Sequence, residues 1–109
     1  MTVEILYFDG CPHHAVLAPR IREIATAAGI EIEIRHKLVP DDEATERERF
    51  LGSPTVRFDG ADVEPGAGER DDFGMKCRLY RTPDGLRGMP ADAWIHDAIV
   101  RLRSDGAPD

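Results

Sequence analysis

Residues 2–28 read TVEILYFDGCPHHAVLAPRIREIATAA, and this stretch decides the fold because it places a strand directly before a helix. Apolar side chains occupy both odd-numbered and even-numbered positions from Thr2 to Phe8. This pattern is typical of a central strand that is covered on both faces. From Leu17 to Ala28 the apolar side chains recur at the spacing of one helical stripe, and Gly29 is well placed to end the helix. The stretch therefore predicts a buried strand that leads into a helix after residues 9–12.

Alternating elements continue downstream of this first unit. Ile30, Ile32 and Ile34 alternate with charged residues and predict a half-buried strand at or near a sheet edge. The remaining patterns predict a short polar helix from Pro40 to about Arg49, strands at Pro54–Phe58 and Cys77–Thr82, a loop without periodicity over 61–76, and a last helix opened by Pro90. This order of elements predicts an α/β fold in a single domain over residues 1–103, with residues 104–109 as a flexible tail.

The composition and charge of the chain disfavour several classes of protein. With 109 residues, 41% of them hydrophobic and 32% charged, the chain has the balance of one soluble globular domain. Its formal charge of −7 repels phosphate backbones and anionic lipids, so neither nucleic acid nor a membrane is expected as a partner. No apolar run is long enough to span a bilayer and the first residues do not resemble a signal peptide, so we expect a cytoplasmic protein. In that compartment the two cysteines predict chemistry or core packing rather than a structural disulfide.

Two segments of the chain resemble the thioredoxin family. CPHHAVLAPRIREIA, from Cys11 to Ala25, is similar to the active-site helix that carries the redox cysteine and, here at Pro19, a kinking proline. GSPTVRFDG, from Gly52 to Gly60, is similar to the segment in which a cis-proline opens the strand beside that cysteine. The resemblance covers residues 2–60 well. It implies a thioredoxin-like fold, a central mixed sheet flanked by helices, with a cis peptide bond before Pro54.

The chain departs from the thioredoxin pattern at three positions. His14 stands where the second cysteine of the family's motif belongs, Gly10 replaces the tryptophan before the motif, and Ile5 replaces a buried acid. Dithiol chemistry within one motif is therefore excluded. The stretch from Phe50 to Tyr80 is also similar to small bacterial thioredoxin-family proteins, some of which carry an alkylmercury-lyase label.

Cys11 is the first candidate for chemistry. At the start of a helix, unpaired amide groups and the helix dipole stabilise a thiolate and lower the thiol pKa from its free value of about 8.5. His14 lies one helical turn further on, where it orients or deprotonates Cys11, shares a metal with it, or is simply an exposed histidine. The alternative for Cys11 is a buried, inert thiol. His36, which follows the second predicted strand on the same side of the sheet, is expected to be a surface residue.

Cys77 is the second candidate, and its position decides between two roles. If Pro54–Phe58 and Cys77–Thr82 form an antiparallel pair, Cys77 lies at the end remote from Cys11, roughly 17 Å away along the strand, whereas a disulfide needs Cα atoms within about 7 Å. A long loop that folds back toward Cys11 would instead make Cys77 a resolving cysteine. The pattern slightly favours a buried strand cysteine.

Pro54 and its neighbours are predicted to bind the substrate. The resemblance implies that a cis-proline leaves the backbone of Ser53 open to pair with an extended thiol-bearing substrate, which Ser53 and Thr55 would contact. Arg81 or Arg87 would bind a carboxylate or stabilise the thiolate, because the loop that carries them should return to the same edge of the sheet. The alternative is that both arginines are simply solvated.

Three functional hypotheses follow. The first is thiol–disulfide exchange through Cys11, with Cys77 as a possible resolving thiol, no cofactor, and a thiol-bearing protein or low-molecular-weight thiol as partner. The second is a soft-metal or organomercurial protein, binding or lyase-like, that uses Cys11 and Cys77 as thiolate ligands and Asp9 as the nearest acid. The third is a non-catalytic binding module that keeps the fold and uses the cis-proline edge.

Overall fold

The structure is a computed structural model, and it describes residues 1–10 and 14–106. The helices are α1 (His14–Ala27), α2 (Asp42–Arg47) and α3 (Asp92–Gly106), and a short 3-10 helix covers Ala67–Glu69. The strands are β1 (Thr2–Tyr7), β2 (Glu33–Leu38), β3 (Thr55–Phe58), β4 (Ala61–Asp62), β5 (Tyr80–Thr82) and β6 (Gly85–Arg87).

The main sheet has four strands in the order β2-β1-β3-β4. β1 runs parallel to β2 and antiparallel to β3, and β4 runs antiparallel to β3. The connection from β1 to β2 passes through α1, because parallel neighbours need a crossover rather than a tight turn. The predicted α/β fold with a mixed sheet flanked by helices is confirmed.

β1 buries apolar side chains on both faces, which is why its sequence is apolar at both parities. Val3 and Ile5 belong to the larger core, which the sheet forms with the buried sides of α1 and α3. Leu6 belongs to a smaller core with Val39, Ala44 and Phe50, on the side that α2 covers. The prediction of a central strand covered on both faces is confirmed.

β2 begins later than the alternation of isoleucines predicts. The N–H of Gly29 donates to the carbonyl of Thr26 at 3.0 Å and that of Ile30 to the carbonyl of Ala25 at 2.9 Å. With Gly29 at φ +73°, these two bonds form the closing turn that ends many helices. Because Ile30 completes this turn, pairing with β1 starts only at Glu33.

β3 does not pair with Cys77–Thr82, so the condition under which Cys77 would lie at the end remote from Cys11 is not met. β3 pairs instead with β4, and β5 pairs with β6 in a separate two-stranded sheet. The reason is the turn between Phe58 and Ala61, where Asp59 and Gly60 both have positive φ, at 48° and 91°. Two consecutive positive φ values are typical of the tight hairpin turn that reverses the chain at once. The edge of β3 is therefore taken by the residues that follow the turn.

The last helix extends beyond the predicted domain end. α3 continues past Arg103 to Gly106, so residues 104–106 are helical where the sequence predicted a tail. Residues 107–109 lie outside the described part of the chain. Among the described helices, none has both the length and the apolar character needed to cross a membrane.

Candidate functional site

The end of β1 and the beginning of β3 lie next to each other at one end of the sheet. The antiparallel register sets Leu6 opposite Thr55, so the Ser53–Pro54 segment lies at the same end of the sheet as the residues after Tyr7. The Ser53–Pro54 peptide bond is cis. Cys11 itself lies outside the described residues, as do residues 12 and 13. Its described neighbours in the chain are Gly10 and His14.

Three rings gather where α1 begins. The His14 imidazole stacks on the ring of Tyr7, with ring centroids 4.1 Å apart and the planes inclined by 16°. His36 meets both rings edge-on, with its centroid 6.3 Å from that of Tyr7 and 6.4 Å from that of His14. His14 is half-buried rather than exposed, whereas His36 is an exposed residue of β2, as expected. The imidazoles of α1 and β2 thus lie together at the end of β1.

Cys77 lies beside Ser53. The Ser53 N–H donates to the Lys76 carbonyl at 2.8 Å, and the Arg78 N–H donates to the Ser53 carbonyl at 3.0 Å, which makes a short parallel bridge. Cys77 is a free, exposed thiol. The expectation of a buried strand cysteine is therefore wrong, and Cys77 does not lie at the remote end of β3. The long loop folds back and returns Cys77 to the end of the sheet where β1 finishes.

The same bridge corrects the prediction that the backbone of Ser53 is open. Both its N–H and its carbonyl are bonded to the chain's own segment Lys76–Arg78. Ser53 and Thr55 are also fully buried, and the Thr55 hydroxyl donates to the Gly52 carbonyl at 2.6 Å. An extended substrate would reach these residues only by displacing Lys76–Arg78.

Arg78 holds this segment in place, and the sequence reasoning missed it. Its guanidinium is fully buried and donates to both carboxylate oxygens of Asp62 at 2.8 Å and to Glu64 at 3.0 Å. It also donates to the Thr55 hydroxyl at 3.3 Å and lies over the Tyr80 ring, 4.1 Å from its centroid. Burial opposes the charge, but the two carboxylates outweigh it and raise the pKa of Arg78 above its ordinary value.

Tyr80 joins this buried cluster to the cis-proline. Its hydroxyl donates to the Pro54 carbonyl, and its ring forms part of the larger core. Burial raises the pKa of Tyr80 above its usual range, so the phenol stays protonated and keeps this hydrogen bond. Pro54 is thus fixed from the side of β5.

An open cleft of about 690 Å³ lies in front of Cys77. Exposure alternates along this extended stretch: Cys77, Leu79 and Arg81 are exposed, whereas Arg78 and Tyr80 are buried. The three exposed residues line the cleft together. The structure therefore places Arg81, one of the two predicted carboxylate-binding residues, in the same cleft as Cys77. Arg87 is exposed on β6 and does not line that cleft.

The predicted soft-metal site would use the thiolates of Cys11 and Cys77. Among residues 1–10 and 14–106, no group of three or more His, Cys, Asp or Glu side chains is arranged to hold a metal ion. The predicted pair of thiolate ligands includes Cys11, which lies outside that part of the chain. Metal binding by Cys11 and Cys77 stays a prediction.

Comparison of the chain with protein-family models, with curated proteins and with solved structures gives no match.

Proposed function

We propose that this protein is a thioredoxin-like thiol–disulfide exchange protein whose two reactive thiols are Cys11 and Cys77. The topology supports the thioredoxin-like part of this proposal. A sheet in the order β2-β1-β3-β4, with α1 directly after β1 and a cis-proline at the start of β3, is the arrangement that the two resembling segments imply.

The position of Cys77 is the observation that carries the proposal. Cys77 is an exposed, free cysteine, and the backbone of its segment lies one strand spacing, about 4.8 Å, from the cis-proline segment, with which it pairs at Ser53. That segment lies at the end of β1, and the chain continues from β1 through Gly10 to Cys11. We therefore take Cys77 as the second thiol, because the motif itself has His14 in place of a second cysteine.

The exchange proceeds through a mixed disulfide. The Cys11 thiolate attacks one sulfur of a substrate disulfide, forms a Cys11–substrate disulfide and expels the other substrate sulfur as a thiolate. The Cys77 thiolate then attacks the Cys11 sulfur, forms a Cys11–Cys77 disulfide and expels the remaining substrate thiolate. Each protein thiol loses one proton and each expelled thiolate gains one, so the substrate is reduced as the protein is oxidised. His14 is the described imidazole nearest to Cys11 in the chain.

The reactivity of Cys11 tests the proposal. The rate of alkylation of Cys11 is measured against pH in the Cys77→Ser variant, and we expect an apparent thiol pKa well below about 8.5. Incubation of the unmodified protein with an oxidised small thiol should consume both protein thiols. The mass of the product should be lower than that of the reduced protein by two hydrogens, with no small thiol attached. The Cys77→Ser variant should instead retain one small thiol as a mixed disulfide.

Two results would contradict the proposal. One is a Cys11 pKa at or above the free value, and the other is separate modification of Cys11 and Cys77 without an internal disulfide. Either result would favour the binding module, in which the cis-proline edge is structural.

A further inference from the structure

The segment Lys76–Arg78 occupies the edge that an extended polypeptide would use. Its hydrogen bonds to Ser53 take both backbone groups, and the buried Arg78 side chain fixes it to Asp62 and Glu64. Gly52 fits beneath it so closely that a Cβ there would lie 2.9 Å from the Cα of Arg78. A substrate for Cys77 therefore has to approach from the open cleft on the other side of the segment.

The exposed lining of the cleft combines a thiol with apolar surface. Leu79 is 56% exposed, and Leu86, on the neighbouring strand of the β5–β6 hairpin, is 57% exposed. Leu86 pairs directly with Arg81 across the hairpin, and both line the cleft with Cys77. The cleft is thus lined by a thiol, two leucine side chains and a guanidinium, and its volume is suited to a small molecule.

The charged lining of the cleft has an excess of cations. Apart from the buried Arg78, which is paired with Asp62 and Glu64, it contains three basic residues and two acidic ones, namely Arg70, Lys76 and Arg81 against Glu64 and Asp72. Arg70, Lys76 and Arg78 each have a carboxylate partner. The Arg81 side chain makes no ion pair within the described residues, and only its backbone N–H bonds to Glu64. This local excess contrasts with the −7 charge of the whole chain.

Arg81 carries the charge that an occupant of the cleft can reach. The Arg78 guanidinium is fully buried and donates to Asp62, Glu64 and Thr55, so its charge is directed away from the cleft. The Arg81 side chain is exposed on the same stretch as Cys77 and lines the cleft with it. A guanidinium binds a carboxylate through charge-assisted hydrogen bonds, so Arg81 favours an occupant that carries a carboxylate.

We infer that this cleft binds a small disulfide that carries a carboxylate. Arg81 pairs with the carboxylate, Leu79 and Leu86 contact the apolar part, and a substrate sulfur is presented to Cys77. The inference rests on the proposed function, because it names a substrate class for the same pair of thiols. For this class of small disulfide it assigns the first attack to Cys77 and the resolving step to Cys11, the reverse of the order given above. The Cys77 thiolate attacks the disulfide RS–SR, forms Cys77–S–S–R and releases RS⁻, which takes up a proton. The Cys11 thiolate then attacks the Cys77 sulfur and releases the second RS⁻.

The test measures the first step alone, in the Cys11→Ser variant, so that it does not depend on whether Cys11 is active. Second-order rates of Cys77 modification are compared for the disulfides of mercaptopropionate (anionic) and mercaptoethanol (neutral) and for cystamine (cationic). Each rate is divided by the rate of the same disulfide with free mercaptoethanol. We expect the anionic disulfide to have the highest normalised rate, although the whole chain is acidic.

Arg81→Gln should lower the normalised rate of the anionic disulfide by about two- to fivefold, the range of a single exposed ion pair, and leave the neutral rate unchanged. The matched control is Arg87→Gln, since Arg87 is an exposed arginine of the same hairpin outside the cleft. The inference is overturned if cystamine reacts fastest, or if the two arginine variants slow the anionic disulfide equally. If the rates contradict these expectations while the unmodified protein still forms the Cys11–Cys77 disulfide, only this inference is overturned. If the unmodified protein does not form that disulfide, the proposed function is overturned.

Discussion

At the scale of single residues, Gly52 is the position where a small change is expected to have a large effect. Its φ of +124° disfavours any side chain, and an added Cβ would meet the Arg78 backbone at 2.9 Å. We expect Gly52→Ala to lower the free energy of unfolding by about 1–3 kcal/mol, the usual cost of such a strained residue. Urea denaturation measures this loss.

Gly68→Ala is the matched control, because a Cβ at Gly68 has no atom within 4 Å and its φ is not positive. Its effect should stay within about 0.5 kcal/mol. Equal stability of the two variants would show that the close contact between Gly52 and Arg78 does not exist in solution.

The same residues show where the sequence stops being informative. The sequence reasoning chose Arg81 and Arg87 as anion-binding residues and passed over Arg78, which lies inside the predicted strand Cys77–Thr82. An arginine is almost never fully buried unless it is paired, and the partners of Arg78 come from β4 and the loop after it. Nothing local to Arg78 encodes that pairing, since it depends on how a long loop folds back. Cys77 was misplaced for the same reason.

At the scale of elements, α2 is a short helix whose first turn depends on one side chain. The Asp41 carboxylate accepts a hydrogen bond from the Ala44 N–H at 2.9 Å, and the backbone of Asp41 is extended, as an N-cap requires. We expect Asp41→Ala to cost about 1 kcal/mol of unfolding free energy. Denaturation of the Glu46→Ala variant, which changes an exposed residue of the same helix, should show less than half that loss. An equal loss in the two variants would mean that the cap adds no stability.

Elements with a local signal were predictable, and those without one were not. The N-cap acid of α2, the end of α1 at Gly29 and the two-sided burial of β1 each follow from residues adjacent in the chain. β4 has only two residues, too few for any periodicity. Its signal was the Asp59–Gly60 turn, because that pair favours a hairpin and not merely the end of a strand. Read in that way, the turn predicts that β3 is paired before the chain reaches Cys77.

At the scale of the whole molecule, ion pairs predict that acid destabilises the fold. Hydrogen bonds from Arg70 and Lys76 hold the pKa of Asp72 below its usual range, Arg20 lowers that of Asp92, and Lys37 lowers that of Glu48. A carboxyl with a lowered pKa in the folded state contributes stability above its unfolded pKa of about 4 and loses it as the pH falls further. We therefore expect the free energy of unfolding, measured with urea, to decrease as the pH is lowered from 5 to 2. The decrease should be smaller at high salt, because salt screens the ion pairs. A flat or rising profile over that range would contradict the ion pairs.

Cys11 and Cys77 are far apart in the sequence, so a disulfide between them would restrict the unfolded chain. A disulfide inside a short motif closes a loop of a few residues and hardly restricts the denatured protein. A Cys11–Cys77 disulfide would close a loop of roughly 65 residues, and in the chain-entropy account such a cross-link is worth on the order of 4 kcal/mol. Oxidation of the two thiols would then stabilise the folded domain, and reduction would reverse the effect. We expect the oxidised protein to melt at a higher temperature than the reduced one.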